Sequence, residues 1–433
     1  MERKIRIGVF GGARGDCMIE QIMHHPDAEL VAVCDRFEPI LLQVKKKAEK
    51  LGVKVALFGN FEDFLKCDMD AVVLANFATE HSIYAIKCME AGKHVLSEVL
   101  PSETIAQSIE LIEAVERTGM IYSYAENYCY RKEPFEMWQR YRKGEIGEIQ
   151  YAEGEYIHDC SSIWPELTYG DKNHWRNHLY PTFYCTHSLG PILTITGLRP
   201  IQVVGFETLP NREPKQLEIG NSRGVGLEMV TLENGAVVRS LHGGLKREPG
   251  SVNYQIFGTR GMMESYRYND NIFNLYKEGD KLCEGTWEKY DPEPAIAKGV
   301  GLQANTASHG GSDFYPTHCF IEKILGREDG KWCIDVYTAV DMGICGILAF
   351  RSILNGNKPV KVPNFRNKDE RDAYRNDNAC TNPKIAGDQL WPVSSFPVPN
   401  YPDSVFEHVK ELWHKKIEEN STDDNGSGGI GNI

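Results

Sequence analysis

Residues 5 to 16 read Ile-Arg-Ile-Gly-Val-Phe-Gly-Gly-Ala-Arg-Gly-Asp, a β-branched and aromatic run that breaks into a glycine turn. Glycines at 11, 12 and 15 permit a tight turn and close backbone approach, and Cys17 to Met23 reads as the helix that follows. A helix N-terminus bared in this way is an anion site suited to a pyrophosphate. Gly-Gly-x-x-Gly is one residue shorter than the usual dinucleotide fingerprint, so the next acid carries weight. The apolar strand Leu30-Val31-Ala32-Val33-Cys34 ends in Asp35, twenty residues beyond Gly15, where a carboxylate binds a ribose 2′-hydroxyl and repels a 2′-phosphate. NAD is therefore expected over NADP, with Arg36 next door keeping the second cofactor open. The candidate contacts from this stretch are Gly11, Gly12, Ala13, Arg14, Gly15, Asp35 and Arg36.

These residues need a β/α scaffold, and the chain supplies one. A lysine-rich helix over 40–51, a strand near 53–58, a continuous apolar strand at 71–76, a helix over 80–91 closed by Gly92 and a strand at 93–98 follow in turn. Pro101-Ser102 start a helix with Ile105, Ile109, Ile112 and Val115 on one face, and Met120 to Tyr124 ends the unit. Alternating strands come next at 150–157, 201–206, 227–232, 236–241, 252–258 and 262–266, with Asn234-Gly235 as a hairpin turn. The expected fold is α/β plus α+β. A Rossmann domain occupies 1–125, and a domain with an open, mainly antiparallel sheet occupies 126–365. A C-terminal extension over 366–418 precedes a disordered tail at 419–433.

A chain of 433 residues with 41% hydrophobic content buries a sizeable core, and its net charge of −13 argues against nucleic acid or an anionic membrane surface as partner. It opens without an apolar leader, and no run reads as long and apolar enough to span a bilayer, so a cytoplasmic location is expected. Twelve cysteines without a regular spacing read as free thiols. His158, Asp159 and His174 fall near one another in sequence but in no usual zinc spacing, and no metal is expected.

Several segments in order carry a resemblance. Ala75-Asn76 to His81, Gly92-Lys93-His94-Val95 with Glu98, and Gly258-Thr259-Arg260-Gly261 resemble the glucose–fructose oxidoreductase and inositol dehydrogenase superfamily. The usual dehydrogenases there carry Glu-Lys-Pro, with the lysine near the reacting hydroxyl, whereas this chain has Glu98-Val99-Leu100-Pro101. Valine at that place is similar to one branch, the NAD-dependent glycoside hydrolases like bacterial α-N-acetylgalactosaminidases. Glu126 to Arg131, Gly154 to Asp159, Tyr184 to Pro191 and His309 to Phe314 look like that branch as well. The resemblance implies Asn76, His81, Glu98 and Asn127 as further cofactor contacts. It implies Glu126, Tyr156, Tyr184 and His187 as functional positions. Tyr180-Pro181-Thr182 competes with Tyr184-Cys185-Thr186 for one motif, and the spacing to His187 favours Tyr184. The superfamily's open sheet often forms an oligomer contact, which implies a homo-oligomer.

The implied chemistry begins by oxidising C3 of a sugar to a ketone, which acidifies the C2 hydrogen. The C1 substituent then leaves by elimination, water adds, and C3 is reduced again. His187 suits the 3-hydroxyl, since imidazole titrates near neutral pH, and Tyr156 or Tyr184 suits C2. A free tyrosine titrates near ~10 and needs a nearby cation, such as the nicotinamide ring or Arg176. Glu126, Trp175, Arg176, Tyr130 and His309 are the candidates for holding the sugar. A net sugar dehydrogenase and a non-catalytic dinucleotide sensor are the alternatives, and the missing lysine at Val99 favours the hydrolase.

Overall fold

The structure is a computed structural model that describes residues 3–244, 250–267, 272–281, 284–293, 296–297 and 311–422. The chain divides into two compact units, one formed by Met1–Arg131 with Glu293–Val340 and the other by Lys132–Pro292 with Asp341–Ile430.

The first unit is built on six parallel strands: β1 (Ile5–Phe10), β2 (Ala28–Cys34), β3 (Ala56–Phe58), β4 (Ala71–Leu74), β5 (His94–Ser97) and β6 (Tyr122–Tyr124). Their order, β3-β2-β1-β4-β5-β6, reverses between β1 and β4, and ligands of open α/β sheets bind at such a switch point. β4 is buried on both faces, which explains its unbroken apolar run. The helix that begins after Gly15, Asp16–His24, packs Met18, Ile19 and Ile22 into a core shared with Ile7, Val9, Leu30, Val73 and Leu96.

Residues 293–340 return to this unit rather than belonging to a single domain over 126–365. The helix Phe314–Ile324 places Phe320 and Ile321 in the same core, and Tyr124 N–H donates to Ile334 O at 2.9 Å, extending the sheet edge. A contact between elements about two hundred residues apart in sequence leaves no local pattern to read.

The second unit holds nine strands: β7 (Ile149–Ile157), β8 (Pro200–Glu207), β9 (Val225–Leu232), β10 (Val237–Gly243), β11 (Ser251–Gly258), β12 (Gly261–Ser265), β13 (Phe273–Glu278), β14 (Gly285–Tyr290) and β15 (Val360–Lys361). The order is β14-β13-β12-β11-β7-β10-β9-β8-β15, antiparallel except where β10 runs parallel to β7. The β9–β10 hairpin turns at Asn234-Gly235, where Gly235 takes φ +90. One face is covered by the helix Thr186–Thr196, with Gly154, Ser240 and Tyr254 beneath it.

The helix Val336–Leu354 is long and apolar enough to cross a membrane, contrary to the expectation that no such run exists, and 83% of its most apolar window is buried inside the protein. The extension contributes the helices Lys368–Tyr374 and Asp403–Thr422, the second running past the expected limit at 418. Residues 423–433 of the expected tail lie outside the described residues.

Candidate active site

The first unit provides a cofactor cradle. Gly11 adopts φ +97, and a Cβ there would drive into the Ala75 carbonyl, while one on Gly15 would strike Gly11 O. Both positions demand glycine for space, and Gly11 for conformation as well. Gly15 offers no side-chain cap to the following helix, so its first N–H groups can meet an anionic ligand. Asp35 fixes the turn: its Oδ2 accepts Gly12 N–H at 2.7 Å and its Oδ1 accepts Phe37 N–H at 2.9 Å. Burial pushes the Asp35 carboxyl up, and these backbone donors oppose that shift. A carboxylate has lone pairs beyond these two bonds, so a ribose hydroxyl fits as well. Arg36 lies over the Phe77 ring at 3.9 Å. Asn76 donates to Glu80 at 3.3 Å, and its Oδ1 is buried without a protein partner, an acceptor that a bound cofactor would satisfy.

Arg14 and Asn127, separate in sequence, meet at one buried residue, Asp313, and Arg14 reaches Glu98 as well. Arg14 Nη2 lies 2.7 Å from Glu98 and 3.1 Å from Asp313, and Asn127 Nδ2 donates to Asp313 at 2.8 Å. Burial alone would pull the Arg14 guanidinium down; the two carboxylates more than offset it and hold it well above its usual value. Asp313 sits at the start of the helix Phe314–Ile324 yet makes no capping bond, because its carboxylate serves Arg14 and Asn127 instead.

Three candidates have roles different from those expected. His81 is buried between Leu100 O at 2.9 Å and Asn76 O at 3.2 Å, so it ties backbone segments behind the cradle; burial pushes it down to about 4. Tyr130 is 1% exposed and donates its hydroxyl to Trp332 O at 2.6 Å, which makes it a core anchor. Glu126 is fully buried in the first unit and accepts Tyr128 N–H at 3.3 Å, capping the turn Asn127–Tyr130. His309 lies outside the described residues.

The second unit gathers the acid–base candidates. The His187 ring packs edge-on against Tyr156, with centroids 4.7 Å apart, and against Tyr184 at 5.1 Å. Tyr180 instead stacks on Phe350 at 4.5 Å in the core, so Tyr184 is the motif tyrosine that meets His187. Glycine clearance fixes this segment. A Cβ on Gly154 would collide with Ser188 O, one on Gly226 with Pro181 O, and one on Gly346 with Thr182 O. Tyr254 then donates its hydroxyl to His187 O at 2.5 Å, anchoring the start of the helix. Trp175 lies 6.5 Å from Tyr184, nearly parallel, and the Arg176 guanidinium sits over Trp175 at 4.5 Å.

His158, Asp159 and His174 form no metal-ligating group among the described residues. His174 accepts Arg176 N–H at 3.3 Å, and Asp159 accepts Ser161 N–H at 2.9 Å. His158 has another use, since its Nδ1 lies 2.9 Å from the Tyr156 hydroxyl. Two residues apart at the end of a strand, they share a face, a spacing that the sequence already contains. Asp313 carries no such signal.

Two family models match the chain. Residues 5–126 match the oxidoreductase family with an NAD-binding Rossmann fold, and residues 214–370 match the C-terminal domain of glycosyl hydrolase 109. A glycosyl hydrolase family 109 protein of Solibacter usitatus is 29% identical over 83% of this chain and 88% of its own. An α-N-acetylgalactosaminidase of Shewanella oneidensis is 25% identical over 83% and 85%. Among solved structures, an NAD-binding oxidoreductase from Klebsiella pneumoniae superimposes with a TM-score of 0.66 at 18% identity, over 83% of this chain and 99% of its own, a likeness of fold. The chain thus carries a domain similar to the NAD-binding Rossmann oxidoreductases and, after it, one similar to the glycosyl hydrolase 109 C-terminal domain.

Proposed function

We propose that the protein hydrolyses a glycoside through transient oxidation at C3, elimination across C1–C2, water addition and re-reduction. When bound, NAD supplies the acceptor for the C3 hydride and its return. His187 takes the proton of the 3-hydroxyl, and Tyr156 or Tyr184 removes the C2 proton and later returns one. Trp175 offers an indole face to the pyranose ring, and Arg176 orients its polar groups. The observation that carries this reading is the packing of Tyr156 and Tyr184 against the single ring of His187. A sensor has no need of that arrangement. Asp35 at the ribose position supports NAD as the cofactor, and Asn76, Arg14, Glu98 and Asn127 support the cradle. The open face of the second sheet supports a homo-oligomer. The remaining expectation, a cytoplasmic location, rests on sequence alone.

The test is hydrolysis of a nitrophenyl glycoside in deuterated water. Elimination must break the C2–H bond, whereas a pair of carboxylates acting through an oxocarbenium-like state leaves it intact. Aglycone release without accumulating NADH, together with deuterium at C2 of the sugar, is the expected result. Accumulating NADH with a 3-keto product would point to a net dehydrogenase. Neither a C2 label nor slowing by C2 or C3 deuteration would remove the elimination route.

A further inference from the structure

The helix Asp403–Thr422 of the C-terminal extension carries Val405, Phe406, Val409 and Trp413 at i, i+1, i+4 and i+8, an apolar stripe along one side, with Val409 1% exposed. It packs on the short helix Trp164–Thr168 and on the loop that follows. The approach is close, because a Cβ on Gly170 would meet Lys410 N and Phe406 O, each at 2.5 Å, and Gly170 itself takes φ +66. Lys416 secures the other end, donating to Ser162 O at 3.0 Å and pairing with Glu166.

From Trp413 a run of rings crosses the second unit to the acid–base residues. Trp413 lies 5.0 Å from Tyr169, Tyr169 5.8 Å from His174, and His174 5.8 Å from Trp175. Trp175 then faces Tyr184, which meets His187. Rings at such separations attract one another. Tyr169 stands at φ +57, a backbone region that a bulky residue rarely adopts, so its surroundings hold it there. His174 is 3% exposed, and by accepting Arg176 N–H it starts the turn Trp175–His178. The far end of that turn rests on the extension too, since Thr381 donates its hydroxyl to His178 O at 2.7 Å. The turn, Trp413 and Thr381 all lie outside 5–126 and 214–370, the stretches that the family models match. His187 is anchored separately, by Tyr254 and by the clearance at Gly154.

We propose that the C-terminal extension belongs to the sugar-binding apparatus: Trp413 and Thr381 are positioning residues that fix the turn Trp175–His178, and with it the indole face offered to the pyranose ring. This rests on the glycoside reading above and adds to it the part of the chain that sets affinity. A sugar binds more tightly to an indole already in place than to one that must be ordered first, because the ordering entropy is not lost on binding. Loss of the hold therefore weakens substrate binding, while chemistry at His187 and Tyr156, anchored on the sheet, proceeds.

The experiment uses the full-length, NAD-loaded protein, the variants Trp413→Ala, Trp413→Phe and Thr381→Val, and a panel of nitrophenyl α- and β-glycosides of glucose, galactose and their 2-acetamido forms. On the glycoside that the parent cleaves, Trp413→Ala should raise KM about tenfold and hold kcat within about twofold, the signature of lost ground-state binding. Trp413→Phe should restore most of the affinity. Thr381→Val, which removes a hydroxyl from a nearly unchanged shape, should move KM the same way by less. Hydrogen exchange read by mass spectrometry needs no substrate: peptides over 169–180 should exchange faster in Trp413→Ala, and those over β7 at the parent's rate. An unchanged KM, a kcat that falls at constant KM, or unchanged exchange over 169–180 would each overturn the proposal. If Trp413→Ala does not fold, Thr381→Val decides by the same two readings. Faster exchange at the turn in a protein that neither cleaves a glycoside nor forms NADH would leave the hold standing and remove the glycoside reading on which its role depends.

Discussion

The hydroxyl of Tyr156, at the end of β7, lies 2.9 Å from Nδ1 of His158, two residues on. A tyrosine that takes a proton from carbon needs a partner that takes or supplies one in turn, and the sequence suggests only a cofactor cation or Arg176 for that service. In the proposed mechanism His158 would supply it from the same strand end, where its backbone N–H donates to Gly243 O at 3.0 Å.

Replacing His158 with Ala should therefore slow the step at C2 while leaving the oxidation of C3 intact. A drop in kcat of about 10²-fold is expected, the lower range for a lost acid–base partner. Rapid mixing would show NADH forming at its usual rate, and C2 deuteration would slow turnover more than in the parent. Loss of NADH formation instead would assign His158 to the oxidation step or to the fold.

Cys160 should be the readily alkylated thiol near the site. Burial pushes it up, but His158, with Arg223 and Arg176, brings it to about 7, so the thiolate fraction grows as pH rises through neutrality and falls below it. Iodoacetamide labelling followed by peptide mass spectrometry should give a midpoint near pH 7 for this cysteine. Cys185, Cys319 and Cys345, all pushed well up by burial, should label slowly up to alkaline pH. A midpoint for Cys160 at or above the ordinary thiol value would show that His158 and the arginines do not hold the thiolate.

Acid should destabilise the first unit before carboxylates titrate. Asp27 N–H donates to His25 Nδ1 at 3.2 Å, His25 Nε2 meets His318 Nδ1 at 3.1 Å, and His318 Nε2 meets Asp329 at 3.2 Å. Two neutral rings satisfy every bond in that row. Burial, then His318, pushes His25 down to about 4, against ~6.5 in an unfolded chain. The unfolded state thus binds more protons between those values. The contribution is complete above about pH 6.5 and lost as pH falls toward 4, and it amounts to about 3 kcal/mol at most. His81, pushed down to about 4 by burial, has the same sign. Urea midpoints should fall across this window and fall less in His25→Gln. A flat profile from pH 7 to 4.5 would contradict the buried neutral pair.

Local periodicity made the six parallel strands legible, as it did the β9–β10 hairpin, because each is written within a few consecutive residues. The meeting of Tyr184 and His187 was legible for the same reason, being a matter of spacing along one helix start. Asp313 was not: as a residue before a helix it reads as a cap, and only the tertiary fold brings Arg14 to it. Tyr130 fails in the opposite direction, since a motif tyrosine looks like a ligand contact until its hydroxyl is found on Trp332 O.

Gly154 should tolerate no side chain. Its neighbour across the packing is the backbone oxygen of Ser188, one residue after His187, and a Cβ must push the helix Thr186–Thr196 away from the sheet. Overpacking of this kind costs about 1–3 kcal/mol, and here the displaced element carries His187. Gly154→Ala should lower kcat more than it lowers the unfolding midpoint, whereas Gly235→Ala, at an open turn, should act on stability alone. Parent-like turnover in Gly154→Ala would mean that the exact seat of this helix is not required.

The open face of the second sheet carries a continuous apolar row. Strand register places Trp287, Tyr276, Met262, Phe257, Tyr151 and Val237 side by side across β14, β13, β12, β11, β7 and β10. Trp287 is 66% exposed and Phe257 38%, unusual for aromatics on a sheet that is otherwise well covered on its other face. Rings in the row already pack pairwise, Tyr276 with Trp287 at 5.1 Å and Tyr151 with Phe257 at 6.1 Å, so the surface is ordered before any partner arrives. Arg239 with Glu153, at 2.5 Å, and Arg267 with Glu155, at 3.0 Å, flank the row with charges already satisfied within the chain. A second copy laid on this face buries aromatic area worth about 1.5–3 kcal/mol for each large side chain, without having to strip unpaired charges of water. Sedimentation should give a mass of two or more chains for the parent, and the double change Trp287→Glu with Phe257→Glu should give a monomer with an unchanged circular dichroism spectrum. A monomeric parent at tens of micromolar, or a variant that keeps the parent's mass, would show that the row serves something other than self-association.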